Sequence, residues 1–302
     1  MKVGIKISYS NGVTVLQQSG ARHAEVWFRL DWVDRYQTLF IYLRREKIRY
    51  GLHFWGMVRQ RFFPNLVYDR DGIAEETFRM IRSTIKIAAA NGAFYVNYHP
   101  ESFRLVELDL DRQTNRLVPG AEIDQEKGMA SLLRHSQQLQ CYAKPLGVET
   151  CVETVPYAIP ENFTEGRKEQ GRLRVVEEKG VGAKQLLRLG QAGIPLCFDI
   201  GHSTGQYPNL PRATVFARLL EDAKRLAPYT KLVHVNTTIP PLNGTDSHHG
   251  ILEEDFSRNV FPDKNQLRML LEVFAPDTLL IPEPQQEKMV DNFRSLVRLA
   301  HR

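Results

Sequence analysis

Leu196-Cys197-Phe198-Asp199-Ile200-Gly201-His202 is the stretch that decides how this chain is read. An apolar run enters from Ile194, stops at a carboxylate and places an imidazole three residues later. A short continuous apolar run is what a parallel strand buried on both faces needs. Its end brings Asp199 and His202 to the carboxyl edge of a sheet, beside a glycine that permits a sharp turn. Two roles fit the pair: a helix-capping aspartate with a hydrogen-bonded histidine, or two ligands of a divalent metal.

Working outward, the same kind of segment recurs at Lys2 to Ser8, Ala24 to Leu30, Ile48 to Trp55, Ala93 to Tyr98, Gly147 to Val155, Lys231 to Thr237 and Thr278 to Pro282. Helical spacing fills the intervals, from a short stretch after Val13 to Tyr36 to Arg45 and Ala74 to Ala90, where Phe78, Ile81, Ile85 and Ala88 share a face. Met129 to Lys144, Ala183 to Ala192, Ala213 to Leu226, Asn265 to Phe274 and Glu287 to Ala300 complete the set. Eight strands alternating with helices, with no linker-like break in composition, predict one domain over residues 1–302, an α/β chain closed as a (β/α)8 TIM barrel. An open doubly wound sheet would need a glycine-rich phosphate loop after its first strand, and Ser10-Asn11-Gly12 is a poor one. Phe103 to Leu110 and Arg116 to Val118 break the repeat and predict a hairpin inserted after the fourth strand. Glu161 to Gly180 is polar and highly charged, which predicts a long loop with some helix.

Composition narrows the class further. A hydrophobic content of 42% with 25% charged residues is that of a globular domain with a sizeable core. The net charge of +5 is compatible with a polyanionic partner without pointing to one. Cys141, Cys151 and Cys197 form no CxxC pair and are too few for a disulfide scaffold; Cys151 and Cys197 lie within expected strands, which predicts buried thiols in a reducing compartment. No stretch is apolar enough to span a membrane and the N-terminal apolar run is too short for a signal peptide, which predicts a cytoplasmic protein.

In a barrel of this kind the site lies at the carboxyl ends of the strands. Those ends carry His53, His99, Glu153, Asp199 with His202, His234 and Glu283, and the loop after the seventh strand adds Asp246 and His248. No strand end offers a Lys or Arg, so burying these carboxylates bare would be costly. Metal ions would supply the missing charge, and imidazole mixed with carboxylate suits Zn²⁺, Mn²⁺ or Fe²⁺ better than Mg²⁺ or Ca²⁺. Taken singly, each residue also fits a structural role, for example His53 beside Phe54 and Trp55, or His234 between Val233 and Val235.

Together, His53, His99, Glu153, Asp199-Ile200-Gly201-His202, His234-Val235-Asn236, Asp246-Ser247-His248 and Glu283 resemble the endonuclease IV family of apurinic/apyrimidinic endonucleases (family 2). That family belongs to the xylose-isomerase-like TIM barrels. The resemblance runs from His53 to Glu283 and implies a trinuclear metal site, with zinc foremost. It implies that Glu153 bridges two metals, one also held by His53 and His99 and the other by Asp199, His234 and Glu283. A third would be held by His202, Asp246 and His248. It further implies hydrolysis of a phosphodiester, at abasic sites in DNA, by a metal-bound hydroxide, with Glu153, Asp199 and Glu283 as catalytic residues. The chain departs from the family pattern at Tyr9 to Gly12, at Phe54-Trp55-Gly56, at Glu101-Ser102, and at Thr154 and Thr237, which bears on the substrate more than on the metals.

Arg59, Arg61, Phe62 and Phe63, and Arg167, Lys168 and Arg172, are candidates for contacting nucleic acid, the alternative being a solvated rim. The competing reading of the whole chain is a sugar isomerase or epimerase on the same barrel. It would use one metal on Glu153, Asp199, His234 and Glu283, with the two glutamates exchanging a proton with the substrate. Its substrate would be a sugar or phosphorylated small molecule, and the Asp246 and His248 pair would be surplus. A barrel that binds without catalysing is disfavoured because no ligand position is lost, and an iron-dependent oxidase stays open because such ligands do not fix the metal.

Overall fold

A computed structural model describes residues 1–156, 158–160, 175–178, 180–244, 247–284 and 288–300. The chain opens with β1 (Lys2–Val3) and β2 (Ile5–Ile7), then α1 (Gly12–Ser19), β3 (His23–Arg29), α2 (Gln37–Arg45), β4 (Arg49–Trp55), α3 (Ile73–Asn91) and β5 (Tyr95–Tyr98). The hairpin β6 (Arg104–Asp109) and β7 (Thr114–Glu122) follows, then α4 (Gln125–Ala143), β8 (Glu149–Glu153), β9 (Ala158–Pro160), β10 (Val175–Glu178) and α5 (Ala183–Gln191). The last third holds β11 (Leu196–Asp199), α6 (Ile200–Gly205), α7 (Arg212–Leu226), β12 (Thr230–Val235), α8 (Glu253–Ser257), α9 (Lys264–Leu271), β13 (Leu279–Pro282) and α10 (Met289–Ala300).

Nine strands form one parallel sheet in the order β1-β13-β12-β11-β8-β5-β4-β3-β2. Its two edges, β1 and β2, are consecutive in the chain and separated by Gly4 alone, so they are halves of one split first strand and the sheet closes on itself. The expected continuous strand breaks there for a steric reason. A Cβ on Gly4 would come within 2.6 Å of Ile281 Cδ1 and 3.0 Å of the His23 carbonyl, and only glycine lets the chain pass so close between two neighbours. The expected barrel and inserted hairpin are both present, the hairpin with a longer second strand than Arg116 to Val118. Within the charged segment expected to be loop with some helix, Val175–Glu178 is instead a strand, paired antiparallel with Ala158–Pro160.

Side chains alternate across each strand, and the two faces differ sharply. Outward residues such as Val26, Phe28, Leu52 and Val152 join the main apolar core under the helices. Inward residues at the floor, Tyr95, Cys151, Cys197, Leu232, Leu279 and Ile281, form a separate apolar plug. Above that plug the lumen turns polar: Lys6, Glu25, His53, Asn97, Glu153, Asp199 and His234 are all buried. That polar layer sets where the site lies.

Candidate metal centre

β11 and α6 build the heart of the site. Asp199 ends β11 in extended conformation and caps α6, its Oδ1 accepting from the backbone of His202 at 2.7 Å. The turn orients His202, whose Nδ1 donates to the Thr154 carbonyl at 2.7 Å. A carbonyl only accepts, so in the neutral ring the Nε2 lone pair faces the bowl. There it meets His248 Nε2 at 3.3 Å. Asn236, just beyond β12, donates to Asp199 Oδ2 at 2.9 Å. Gly201 makes that reach possible, since a Cβ there would lie 2.4 Å from Asn236 Oδ1. Capping, the bland role, and an inward-facing ligand set therefore coexist in Asp199 and His202.

β8, β12 and β13 bring further donors against this pair. His234 Nδ1 lies 3.0 Å from Glu153 Oε1, 2.7 Å from Glu283 Oε2 and 3.7 Å from Asp199 Oδ2. On its other side, His234 Nε2 lies 2.8 Å from Glu25 Oε1. His53 and His99 approach Glu153 from β4 and the end of β5, at 3.7 and 3.4 Å. Asn97 donates to Glu153 Oε2. Among the described residues, donor atoms within 4.8 Å of one another fall into five groups, three of them made of expected residues alone: His53, His99 and Glu153; Glu153, Asp199, His234 and Glu283; and Asp199, His202 and His248; the other two are Glu25, His53 and His234, and Glu153, Cys197 and His234. Asp246 lies outside the described residues, as do Arg167, Lys168 and Arg172.

The donor set fits a cation. His99 Nε2 and Glu283 Oε2 are buried and lie, respectively, 3.4 Å from Glu153 Oε1 and 2.7 Å from His234 Nδ1 without well-aligned hydrogen bonds, the arrangement of atoms that converge on a shared ion. Burial, with Glu153 and Glu283 close by, pushes the Asp199 carboxyl up against the pull of His202 and His248. Burial would likewise raise Glu153, but His234, His53 and His99 outweigh it and hold the carboxyl well below its ordinary value. Three carboxylates crowded with imidazoles in a dry lumen are the setting in which a divalent ion lowers the energy of the whole cluster.

Two buried residues were not read from the strand ends. Glu25, in mid β3, accepts from Tyr95 at 2.9 Å and from Lys6 at 2.6 Å. Lys6, in β2, also contacts Glu283 at 2.8 Å and His53 Nδ1 at 2.5 Å. No strand end supplies the balancing cation, but Lys6, within β2, does so on one side of the bowl, so the expectation that these carboxylates lack one is wrong there. The signal for both residues was parity: each lies on the inward register between outward apolar neighbours, Ile5 and Ile7 for Lys6 and Ala24 and Val26 for Glu25. Arg29, at the end of β3, is a second cation missed, but it is spent on Asp31 and stacks over Trp32 and Trp55, at 3.6 and 4.5 Å from the ring centres.

The proposed nucleic-acid cluster after β4 is tied down. Arg59 pairs with Glu76 of α3, and Arg61 with Glu107 of the hairpin. Phe62 bridges to Val58 and Glu107, and Phe63 donates to the Val106 carbonyl at 3.2 Å. These residues anchor the inserted hairpin to the barrel, with Glu107 shared between Arg61 and Arg116.

No protein-family model matches the sequence, and no curated protein matches it. Among solved structures, a D-tagatose 3-epimerase-like protein shares 14% identity, with a TM-score of 0.64 over 99% of this chain and 97% of that one. A xylose isomerase domain protein from Planctomyces limnophilus shares 13%, with a TM-score of 0.60 over 98% and 95%. Endonuclease IV from Thermus thermophilus shares 14%, with a TM-score of 0.56 over 99% and 98%. The chain shares the TIM-barrel fold of these structures, the epimerase-like protein, the xylose isomerase domain protein and endonuclease IV alike. Among the described residues, no helix is long and apolar enough to cross a membrane.

Proposed function

We propose that this chain is a metal-dependent phosphoesterase. The observation that carries the reading is the pair of donor groups joined at Asp199, one through Glu153, His234 and Glu283 and the other through His202 and His248. A single-metal sugar enzyme would use Asp199 as a ligand and His202 against a sugar hydroxyl, and would leave His248 without a role. Divalent ions held by these residues would supply charge for a phosphoryl oxygen and a water acidic enough to attack near neutral pH. The chain's own part is to hold the donors in place: Thr154 fixes the His202 ring, Asn236 fixes Asp199 and Asn97 fixes Glu153. Arg59 and Arg61 are engaged with Glu76 and Glu107 at the hairpin, which weakens one support for abasic DNA, so a smaller phosphodiester is the favoured substrate class.

A second reading has its own support. The epimerase-like neighbour superposes better than endonuclease IV, and Glu153, Asp199, His234 and Glu283 would suffice for one metal with two glutamates on either side of a ketose. The test assays chelator-stripped, metal-reloaded protein against bis(p-nitrophenyl) phosphate, an abasic oligonucleotide and a panel of free ketoses. We expect phosphodiester hydrolysis that vanishes with chelator and with His248→Ala. Ketose interconversion that survives His248→Ala would establish the second reading instead.

A further inference from the structure

Lys6 stands where a cation would. Its ammonium carries three N–H donors and no acceptor, and three acceptors surround it: Glu25 Oε1 at 2.6 Å, His53 Nδ1 at 2.5 Å and Glu283 Oε1 at 2.8 Å. Lys6 and Glu25 are both buried, and neither belongs to the strand-end pattern that resembles the endonuclease IV family.

The consequence runs through the tautomers. A neutral imidazole that accepts at Nδ1 carries its proton at Nε2. Lys6 can only donate and lies closer to His53 Nδ1, at 2.5 Å, than the Glu25 carboxylate does at 3.4 Å, so the His53 ring presents Nε2–H, not a lone pair, toward Glu153. Metal ligation needs the lone pair. His202 has the opposite arrangement, with Nδ1 donating to a carbonyl and Nε2 turned to the bowl. His234 has Glu25 at Nε2 and the cluster of Glu153, Asp199 and Glu283 at Nδ1. Without His53, the β4 and β5 side of the bowl keeps only His99 and Glu153 as donors from its group.

We propose that Lys6 is a tethered cation that holds His53 at Nδ1 and so keeps a metal ion from the His53, His99 and Glu153 group, leaving the chain with two ions where its ligand pattern suggests three. The proposal rests on the metal-centre reading above and assigns His53 to Lys6. Its charge neutralises Glu25 and steadies Glu283 whether or not metal is present.

The test is metal content per chain by elemental analysis after Zn²⁺ or Mn²⁺ loading and removal of excess, on wild type, Lys6→Ala and His53→Ala. We expect two ions in wild type, two in His53→Ala and three in Lys6→Ala. Three ions in wild type, falling to two in His53→Ala, would overturn the role given to Lys6 while leaving the metal centre intact. One ion in wild type would also overturn it, as would two ions in a folded Lys6→Ala. No bound ion in any of the proteins would instead remove the metal-centre reading itself. Should Lys6→Ala fail to fold, the wild-type and His53→Ala pair decides alone.

Discussion

The two walls of the bowl solve one electrostatic problem in different ways. On the β2, β3 and β4 wall, Glu25 is balanced by a lysine of the chain itself, and burial that would raise its carboxyl is outweighed by His234 and Lys6. On the β8, β11 and β12 wall, Glu153 and Asp199 face imidazoles, and Asp199 is pushed up, first by burial. One wall is complete as folded. The other is arranged for a guest charge, and Glu283 touches both through Lys6 and His234. A buried charge that is matched internally serves structure, whereas one left to imidazoles marks where chemistry can be imported.

The contrast is broken most severely at Asp199, which both donor groups share. Asp199→Asn should lose metal from both and lower phosphodiesterase activity by more than about a hundredfold, beyond the roughly 10–100-fold typical of residues behind a metal ligand. Retention of full metal content by this variant would show that Asp199 only caps α6.

Glu25→Gln tests the self-sufficient wall. Glu25 lies 2.8 Å from His234 Nε2, so its loss should weaken metal binding at His234 by roughly 10–100-fold in chelator competition. Unchanged affinity would mean that His234 is oriented by packing alone.

A smaller effect is expected from Thr154→Val. Thr154 Oγ1 accepts from the Asp199 backbone at 2.8 Å and donates to its carbonyl at 3.2 Å. Removing it strands a buried N–H at a cost of about 1–3 kcal/mol, readable as a fall in denaturation midpoint. A midpoint equal to wild type would contradict the assigned bonds.

The smallest lies on the hairpin. Burial would raise the Glu107 carboxyl, but Arg61 and Arg116 outweigh it and hold it below its ordinary value. A lowered carboxylate stabilises the fold above its unfolded value and loses that contribution as pH falls through the folded one. Hydrogen exchange in residues 104–122 should therefore quicken only as pH drops below about 4.5, by no more than the ~0–1 kcal/mol of exposed ion pairs. Exchange rates that change in step with the barrel strands would count against a separate hairpin contribution.

Much of this was legible in the sequence. Strand–helix alternation gave the barrel because apolar runs bounded by turns leave few parallel alternatives, and the broken repeat after His99 gave the hairpin. The strand ends gave seven of the residues that now stand within reach of one another and the loop after the seventh strand gave His248, with Asp246 outside the described residues. Lys6 and Glu25 were missed because they lie within strands rather than at their ends. Charged side chains there look like errors of register until closure of the barrel turns both inward. The split at Gly4 was hidden for a similar reason, since it depends on Ile281 at the far end of the chain.

The most direct measurement titrates Mn²⁺ into chelator-stripped protein while phosphodiester hydrolysis and ketose interconversion are followed in the same samples. The account predicts that hydrolysis rises only as the second equivalent binds and that ketoses stay unchanged throughout. Ketose interconversion complete with the first equivalent, and no hydrolysis at the second, would contradict it.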